Sequence, residues 1–362
     1  MIATNRKVDG PDGGGAVRRE SPGTGPASTG PGSTGPYSIS VTDAGPFQST
    51  KTFLQGQNAT FTDANGHKIT VTLNGPGTGQ LIFQSTTGSG NLSQILLNGT
   101  DATSTLTIHG ATPLPTIVDN GSMGTINAQQ DDLTGDLSVT GGLNNLRLGS
   151  ASGGHSITVG SGGRLNLRIP TLTDESLVSA EAIGTIHANQ WTVSGSSRQQ
   201  ISAPSIQNLN VRGAFNEDVN VSGTVGQFNV GSLSSSAIRV QSSIASILAG
   251  SAADSEIFVN VTPSLTTLPA SASDFASEGG LLKNVRVRGA FSDTQVAAWN
   301  IGTATLNNLQ PNNNGTTFGI AANQVAHLHV TPAGAKTMTM NKVFAPFAQT
   351  SLGGDAVLRI VG

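Results

Sequence analysis

Apolar and polar residues alternate in short runs over most of the chain, as in "YSISV" at 37–41 and "KITVTL" at 68–73. Gly, Asn or Asp closes each run, which is typical of short β-strands that end in tight turns. Within these runs one pattern recurs: an apolar residue, two spacers, an apolar residue, one spacer and an apolar residue. The copies begin at Leu92, Met123, Leu143, Gly162 (a degenerate copy), Ile183, Ile206, Val225, Ile244, Leu282, Ile301 and Val325.

The copies recur with a period of about 19 residues, seen most clearly at Ile206, Val225 and Ile244. A second alternating pair, such as Val219 and Val221, follows within each unit. Apolar residues within a unit recur every second residue, as in a strand, and not every 3.6 residues, as in a helix. The units therefore consist of strands. A unit this short cannot bury a core alone, so neighbouring units must stack. The pattern predicts an all-β, single-stranded parallel β-helix (β-solenoid) with ~19-residue coils of two short strands each. We expect the right-handed form; tandem β-sandwiches are the alternative.

Three regions follow from the pattern. Residues 1–36 are rich in Gly, Pro, Ser and Thr and indicate a disordered linker. Residues 37–91 indicate irregular N-terminal β coils or a cap, and residues 92–362 the parallel β-helix, with a loop insertion at 263–280. The chain closes on the apolar strand "AVLRIVG" at 356–362. Solenoid ends need capping, so we expect this strand to pair or to be covered by a loop.

Composition narrows the function. The 362 residues carry a net charge of −3, which does not favour a nucleic-acid partner. The absence of Cys excludes disulfides, thiolate metal sites and a Cys nucleophile. No apolar run is long enough to span a membrane, and no signal peptide is visible. We expect no cofactor.

Charged residues recur at fixed positions within the 19-residue repeat. Outward positions on the first strand carry a basic stripe of Arg147, Arg168, Arg212, Arg286 and Arg288. Positions just before the second strand carry an acidic edge of Asp136, Asp174, Glu175, Glu217, Asp218, Glu256 and Asp293. The two sets predict a surface for glycan binding or for lateral contact between copies, although turns and outward faces also take charges simply because they are solvated.

Other candidate sites are weaker. His327 and His329 point to the same side of a strand, but no third metal ligand is evident. No carboxylate pair has a nearby base at a spacing that certifies catalysis, so we expect no catalytic residues.

The segment "ATFTDANGHKITVTLNGPGTGQLIF" (59–83), followed by "ILLNGTDATSTLTI" (95–108), resembles a segment common in large secreted bacterial repeat proteins. The later units are similar in period to the shafts of filamentous-haemagglutinin-type adhesins. The resemblance implies export to the cell surface and a role as stalk, adhesin or matrix component. It also implies a calcium-binding acidic turn, but Asp63–His67 holds one carboxylate and ends in a histidine.

The interpretation is a non-enzymatic structural or adhesive solenoid outside the cell, with polysaccharide or other copies of the chain as partners. Two alternatives stay open. One is a carbohydrate-active β-helix enzyme, a lyase or hydrolase with the 263–280 loop walling a groove. The other is a self-assembling fibre subunit.

Overall fold

The structure is a computed structural model that describes residues 41–45, 48–84, 91–110, 112–195, 199–344 and 349–362. The predicted linker at 1–36 lies outside these residues. Residues 39–362 form one compact unit. The predicted solenoid is confirmed: the fold is all-β, and its parallel coils stack into about 12 turns.

The strands are, in chain order, Val41–Gly45, Gln48–Leu54, Asn58–Thr62, Lys68–Asn74, Thr78–Phe83, Leu92–Asn98, Thr105–His109, Pro113–Leu114, Thr116–Asp119, Met123–Leu133, Leu137–Gly141, Leu143–Ser152, Ser156–Ser161, Leu165–Arg168, Thr171–Thr173, Ser176–Ser179, Ile183–Ala188, Gln190–Thr192, Gln200–Ala203, Ile206–Phe215, Asp218–Val221, Thr224–Ser234, Ala237–Val240, Ser243–Val259, Leu281–Val287, Phe291–Ala298, Asn300–Leu309, Phe318–Ala322, Gln324–Pro332, Met338–Phe344, Gln349–Gly353 and Ala356–Ile360. The helical element among the described residues is a short 3₁₀ turn at Ala272–Asp274.

Each coil has three faces, which we call the A-, B- and C-faces in chain order. The A-face is formed by the first strands, with Leu146 paired to Ile126 and Leu167. The C-face is formed by the second alternating pairs, with Val219 beside Ile201 and Ile238. Both stacks were predicted. Their apolar side chains are buried and share one core from coil to coil, because strands of neighbouring coils pair in register.

The B-face is a third stack that the two-strand prediction missed. It contributes one inward apolar side chain per coil. These are Leu114, Leu133, Ala151, Leu172, Trp191, Phe215, Leu233, Ala252, Phe291 and Leu309. All are buried, so the core has three sides. A lone apolar residue makes no alternating pair, which explains why the strand pattern passed over it.

The first copy of the repeat was assigned to the wrong face. Ile95 lies beside Ile117 on the C-face, whereas Leu106 lies beside Ile126 on the A-face. The strand at 92–98 is therefore the last strand of its coil and not the first. Around it the N-terminal strands pair antiparallel: Asn58–Thr62 with Lys68–Asn74, and Thr78–Phe83 with both Gln48–Leu54 and Leu92–Asn98.

The segment at 260–280 adds no coil. Ile244 pairs directly with Leu282, so the 38-residue interval between them is one coil plus an insertion. The insertion lies over the outer side of the C-face, where Leu268 and Phe275 pack with Phe258 in a second apolar cluster. It forms a cover over this part of the C-face.

The C-terminal strand Ala356–Ile360 pairs parallel with Phe318–Ala322 and antiparallel with Gln349–Gly353. The expected pairing of this strand is therefore present. Strand Met338–Phe344 closes the A-face by pairing antiparallel with Gln324–Pro332. It carries Lys342 in a left-handed conformation, φ 54°, and both a charge and a distorted backbone discourage further strand pairing at an edge.

Candidate functional site

The outer side of the A-face carries two polar columns. In one, Asn145, Asn166 and Thr185 lie side by side in successive coils. The side chains of these three residues do not hydrogen-bond to one another. Instead, the Asn166 Nδ2 donates to the backbone carbonyl of Asn144, at 3.2 Å, and the Asn284 Nδ2 donates to that of Ala245, at 3.5 Å. These bonds tie each coil to the one before it.

The second column holds the predicted basic stripe. Arg147 and Arg168 are register partners, and Arg286 lies beside Thr305 in the same column. Arg212 and Arg288 lie two residues further along their coils. All five side chains are exposed. The structure adds Arg164 and Lys283 to this face, both exposed as well.

The A-face contains no acidic residue. No Asp or Glu occurs in the A-face stretches of the coils between residues 123 and 330, which are 123–128, 143–148, 164–168, 183–188, 206–212, 225–230, 244–249, 282–288, 301–306 and 325–330. Within the described residues, none of the five stripe arginines forms an ion pair or a side-chain hydrogen bond. Neighbouring like charges repel, so this surface is arranged to gain from an anion.

Shallow grooves run along this face. Arg168 and Arg212 border one of about 320 Å³, with His187 and Asn189 between them. Arg212 and Arg288 border the next, of about 240 Å³. A third, of about 540 Å³, includes Arg286. Four of the five predicted arginines thus line a series of adjoining grooves.

The predicted acidic residues meet at the corner between the B- and C-faces, in three neighbouring positions. Asp174 and Asp293 occupy a left-handed corner position, with φ 61° and 37°. Glu175 and Glu217 occupy the position after this one, and their side chains point inward. At the start of the C-face strands, the side chains of Asp136, Asp218 and Glu256 point outward. This last set shares one register column.

The outward and corner acids bind the next coil. Asp136 Oδ1 accepts the Ser156 N–H at 2.9 Å, and Asp174 Oδ1 accepts the Ser194 N–H at 2.6 Å. Asp218 Oδ1 accepts the Ala237 N–H at 2.8 Å. The Ser156 N–H lowers the pKa of Asp136. The Ser194 hydroxyl, which donates to Asp174 Oδ2, and the Ser194 N–H lower the pKa of Asp174. The carboxylates therefore satisfy backbone donors that the turns would otherwise leave without partners.

Two more of the predicted acids are also engaged. Asp293 Oδ1 accepts from the Asn313 amide of the next coil, at 2.5 Å. Glu256 forms an ion pair with Arg239, 2.6 Å between Oε2 and Nη2. Arg239 also donates to the Leu265 carbonyl at 2.6 Å and stacks on Phe258, so the pair holds the 260–280 cover in place.

Glu175 and Glu217 are not on the surface, which corrects their assignment to an exposed edge. Both residues are fully buried. Glu175 Oε1 accepts the His155 N–H at 3.3 Å. Glu175 Oε2 and both carboxyl oxygens of Glu217 have no hydrogen-bond partner in the part of the chain that the structure describes. The side chain at this corner position points into the core, so an acidic residue placed there is shielded from water.

The pKa of each buried glutamate rises as a result. Burial raises the pKa of Glu217 to about 8, and the Asp218, Asp174 and Glu175 carboxylates add to the rise. Burial raises the pKa of Glu175 to about 7, and the His155 N–H offsets part of that rise. Both groups are therefore largely protonated below neutral pH.

Another buried acid, which the sequence pattern did not single out, is Glu181 at the corner between the C- and A-faces. Its Oε2 accepts the Gly163 N–H at 2.6 Å, and its Oε1 accepts the Leu143 N–H at 3.2 Å. The side chain thereby joins three coils.

The weaker candidates are used locally. His327 Nδ1 lies 2.8 Å from Asn341 Oδ1, and His329 Nδ1 lies 3.2 Å from the Thr339 hydroxyl, both on the neighbouring strand. Asp63 Oδ1 accepts the N–H groups of Asn65 and His67, at 2.9 and 2.7 Å. That carboxylate therefore shapes its own turn.

Two absences concern the described part of the chain only. It contains no group of three or more His, Asp or Glu side chains placed to hold a metal ion. It also contains no helix of the length and apolar character that crossing a membrane requires.

No protein family model matches the chain, and no curated protein and no solved structure is significantly similar to it. The fold and the surface described above therefore rest on the residues of this chain.

Proposed function

We propose that the chain is a non-enzymatic solenoid with an adhesive or structural role, at the cell surface or in an extracellular matrix, and that the A-face is its binding surface. The observation that carries the proposal is the division of charge at the surface. Of the predicted surface acids, Asp136, Asp174, Asp218 and Asp293 are engaged with the next coil and Glu256 with Arg239. The five stripe arginines of the A-face have no partner within the described residues. The resemblance of 59–108 to secreted bacterial repeat proteins supports the placement outside the cell.

The second candidate, a carbohydrate-active enzyme, is favoured by one observation. Glu175 and Glu217 have a raised pKa beside Asp174, whose pKa is lowered, and a glycosidase needs such a pair of acid and carboxylate. Against this, a catalytic acid must reach the glycosidic oxygen, and neither glutamate has exposed surface. The grooves lie on the A-face, away from this corner.

A turnover assay separates the two. The purified chain is incubated with acidic and neutral polysaccharides, and new reducing ends and unsaturated products are measured. We expect no product above a heat-inactivated control. Cleavage by the wild type that is lost in Glu217→Gln or Asp174→Asn would contradict the proposal and favour the enzyme.

A further inference from the structure

The strongest unassigned feature is the track of grooves on the A-face from Arg168 through Arg212 to Arg288. Arg168 and Arg212 are two coils apart, and Arg212 and Arg288 are three coils apart. With strands about 4.8 Å apart, the cationic groups are spaced at intervals of roughly 10 and 14 Å along the stack. A single small anion cannot contact all three.

The floor of the second groove is built to stay open. Gly231 and Gly250 lie between Arg212 and Arg288. A Cβ at Gly231 would lie 2.2 Å from the Arg212 carbonyl oxygen, and one at Gly250 would lie 2.1 Å from the Gly231 carbonyl oxygen. The close approach of successive coils therefore requires glycine at both positions, and the gap between the two arginines follows from it.

Polar groups without charge cover the rest of the track. Asn210 and Asn229 are register partners beside the floor, and Gln227 and Ser246 continue the neighbouring column. Amide and hydroxyl groups of this kind hydrogen-bond to sugar hydroxyls. Between residues 123 and 330 the outward positions of the A-face carry no Phe, Tyr or Trp, so the grooves offer no platform for stacked bases.

We propose that this track binds a linear polyuronate, a polysaccharide that carries a carboxylate on its sugar rings. The guanidinium groups of Arg168, Arg212 and Arg288 bind carboxylates along one chain, since a guanidinium matches a carboxylate in shape and charge. The amides between them bind the hydroxyls. The inference rests on the proposed non-enzymatic function and names the class of ligand that the A-face takes.

The test measures binding of the full chain to polygalacturonate at low and moderate salt. The same polymer with its carboxylates methyl-esterified is the matched ligand control, and dextran and double-stranded DNA are further arms. The variant is Arg212→Gln/Arg288→Gln. Its matched control is Lys68→Gln/Lys336→Gln, which removes the same charge from exposed residues outside the A-face grooves. Circular dichroism establishes that each variant keeps the wild-type strand content.

We expect binding to polygalacturonate that weakens with salt and is lost on esterification. Each arginine removed should weaken it by about tenfold, with little change in the lysine control. Equal binding to the esterified polymer, equal losses in the two double variants, or tighter binding to DNA would overturn the inference. Cleavage of the polymer would instead overturn the proposed function, and it would be detected separately as new reducing ends.

Discussion

At the residue scale, the acids of the corner between the B- and C-faces and the arginines of the A-face stripe have different roles. Asp136, Asp174 and Asp218 accept backbone N–H groups of the following coil, whereas Arg168 and Arg212 form no ion pair within the described residues. These hydrogen bonds give backbone donors of one coil a partner in the coil before it. The acids are therefore better explained by the stability of the stack than by catalysis.

The outward arginines could be predicted from alternation alone, and the structure places all five on the surface. The same alternation, counted back by two from Leu177 and Val219, also assigns Glu175 and Glu217 to the interior. The sequence analysis instead assigned both residues to the surface, because acidic side chains are usually solvated. Their pKa values could not be predicted from sequence, because they depend on which neighbouring carboxylates the corner brings close.

The buried glutamates predict a stability that falls as the pH rises. Their folded-state pKa values, about 7 and about 8, lie above the ordinary value of 4.5. Their contribution is therefore fully present near pH 4.5 and is lost as the pH rises through 7 and 8, by several kcal/mol in total. Asp136 and Asp174 act oppositely, since their lowered pKa values cost stability only as the pH falls below about 4.

We expect the urea midpoint of the wild type to fall between pH 5.5 and pH 8.5, and Glu217→Gln to fall much less. Glu278→Gln, at an exposed position, is the matched control and should follow the wild type. A wild-type midpoint that does not change over this range, or an unchanged fall in Glu217→Gln, would show that these carboxyls are not the cause.

At the scale of the strands, two faces of the coil could be predicted and the third could not. The A- and C-face strands carry alternating apolar pairs, which a period-2 pattern detects. The B-face strands carry one apolar residue each, such as Trp191 and Phe215, and are as short as Thr171–Thr173. The recurrence of a single apolar residue eight to ten positions after the repeat starts from Met123 to Ile301 was the available signal.

The repeat pattern could not predict the antiparallel N-terminal strands or the cover at 260–280, for a different reason. Their pairings follow no period, and the cover also has partners that are distant in sequence. Arg359, for example, donates to the carbonyls of Leu268 and Pro269, at 2.9 and 3.0 Å. Such contacts are determined by tertiary packing, and a local pattern carries no record of them.

The B-face predicts a large loss of stability on truncation of its aromatic residues. Phe215 is fully buried and contacts Trp191 and Phe228 edge to face, with ring centroids 6.5 and 5.4 Å apart. Phe215→Ala should lower the free energy of unfolding by about 3–5 kcal/mol, because coils held by backbone bonds cannot close the cavity. Phe344→Ala, at a residue that is 61% exposed, is the matched control and should change it by under about 1 kcal/mol. Equal losses in chemical denaturation would contradict a three-sided core.

At the scale of the whole solenoid, stacking turns a local choice of residue into a continuous surface. Outward residues at one phase line up because successive coils pair in register, so scattered arginines become a track and scattered acids become a bonded corner. The net charge of −3 conceals this separation. A surface with one sign of charge attracts a polyanion even on a protein that is acidic overall.

Titration calorimetry of the wild-type chain with polygalacturonate separates binding from cleavage, since one trace reports both association and turnover. We expect saturable heats that diminish as salt is raised, with the baseline power returning to its starting value after each injection. A sustained shift of the baseline power, the sign of continuing cleavage, or the absence of any saturable heat at low salt would contradict this expectation.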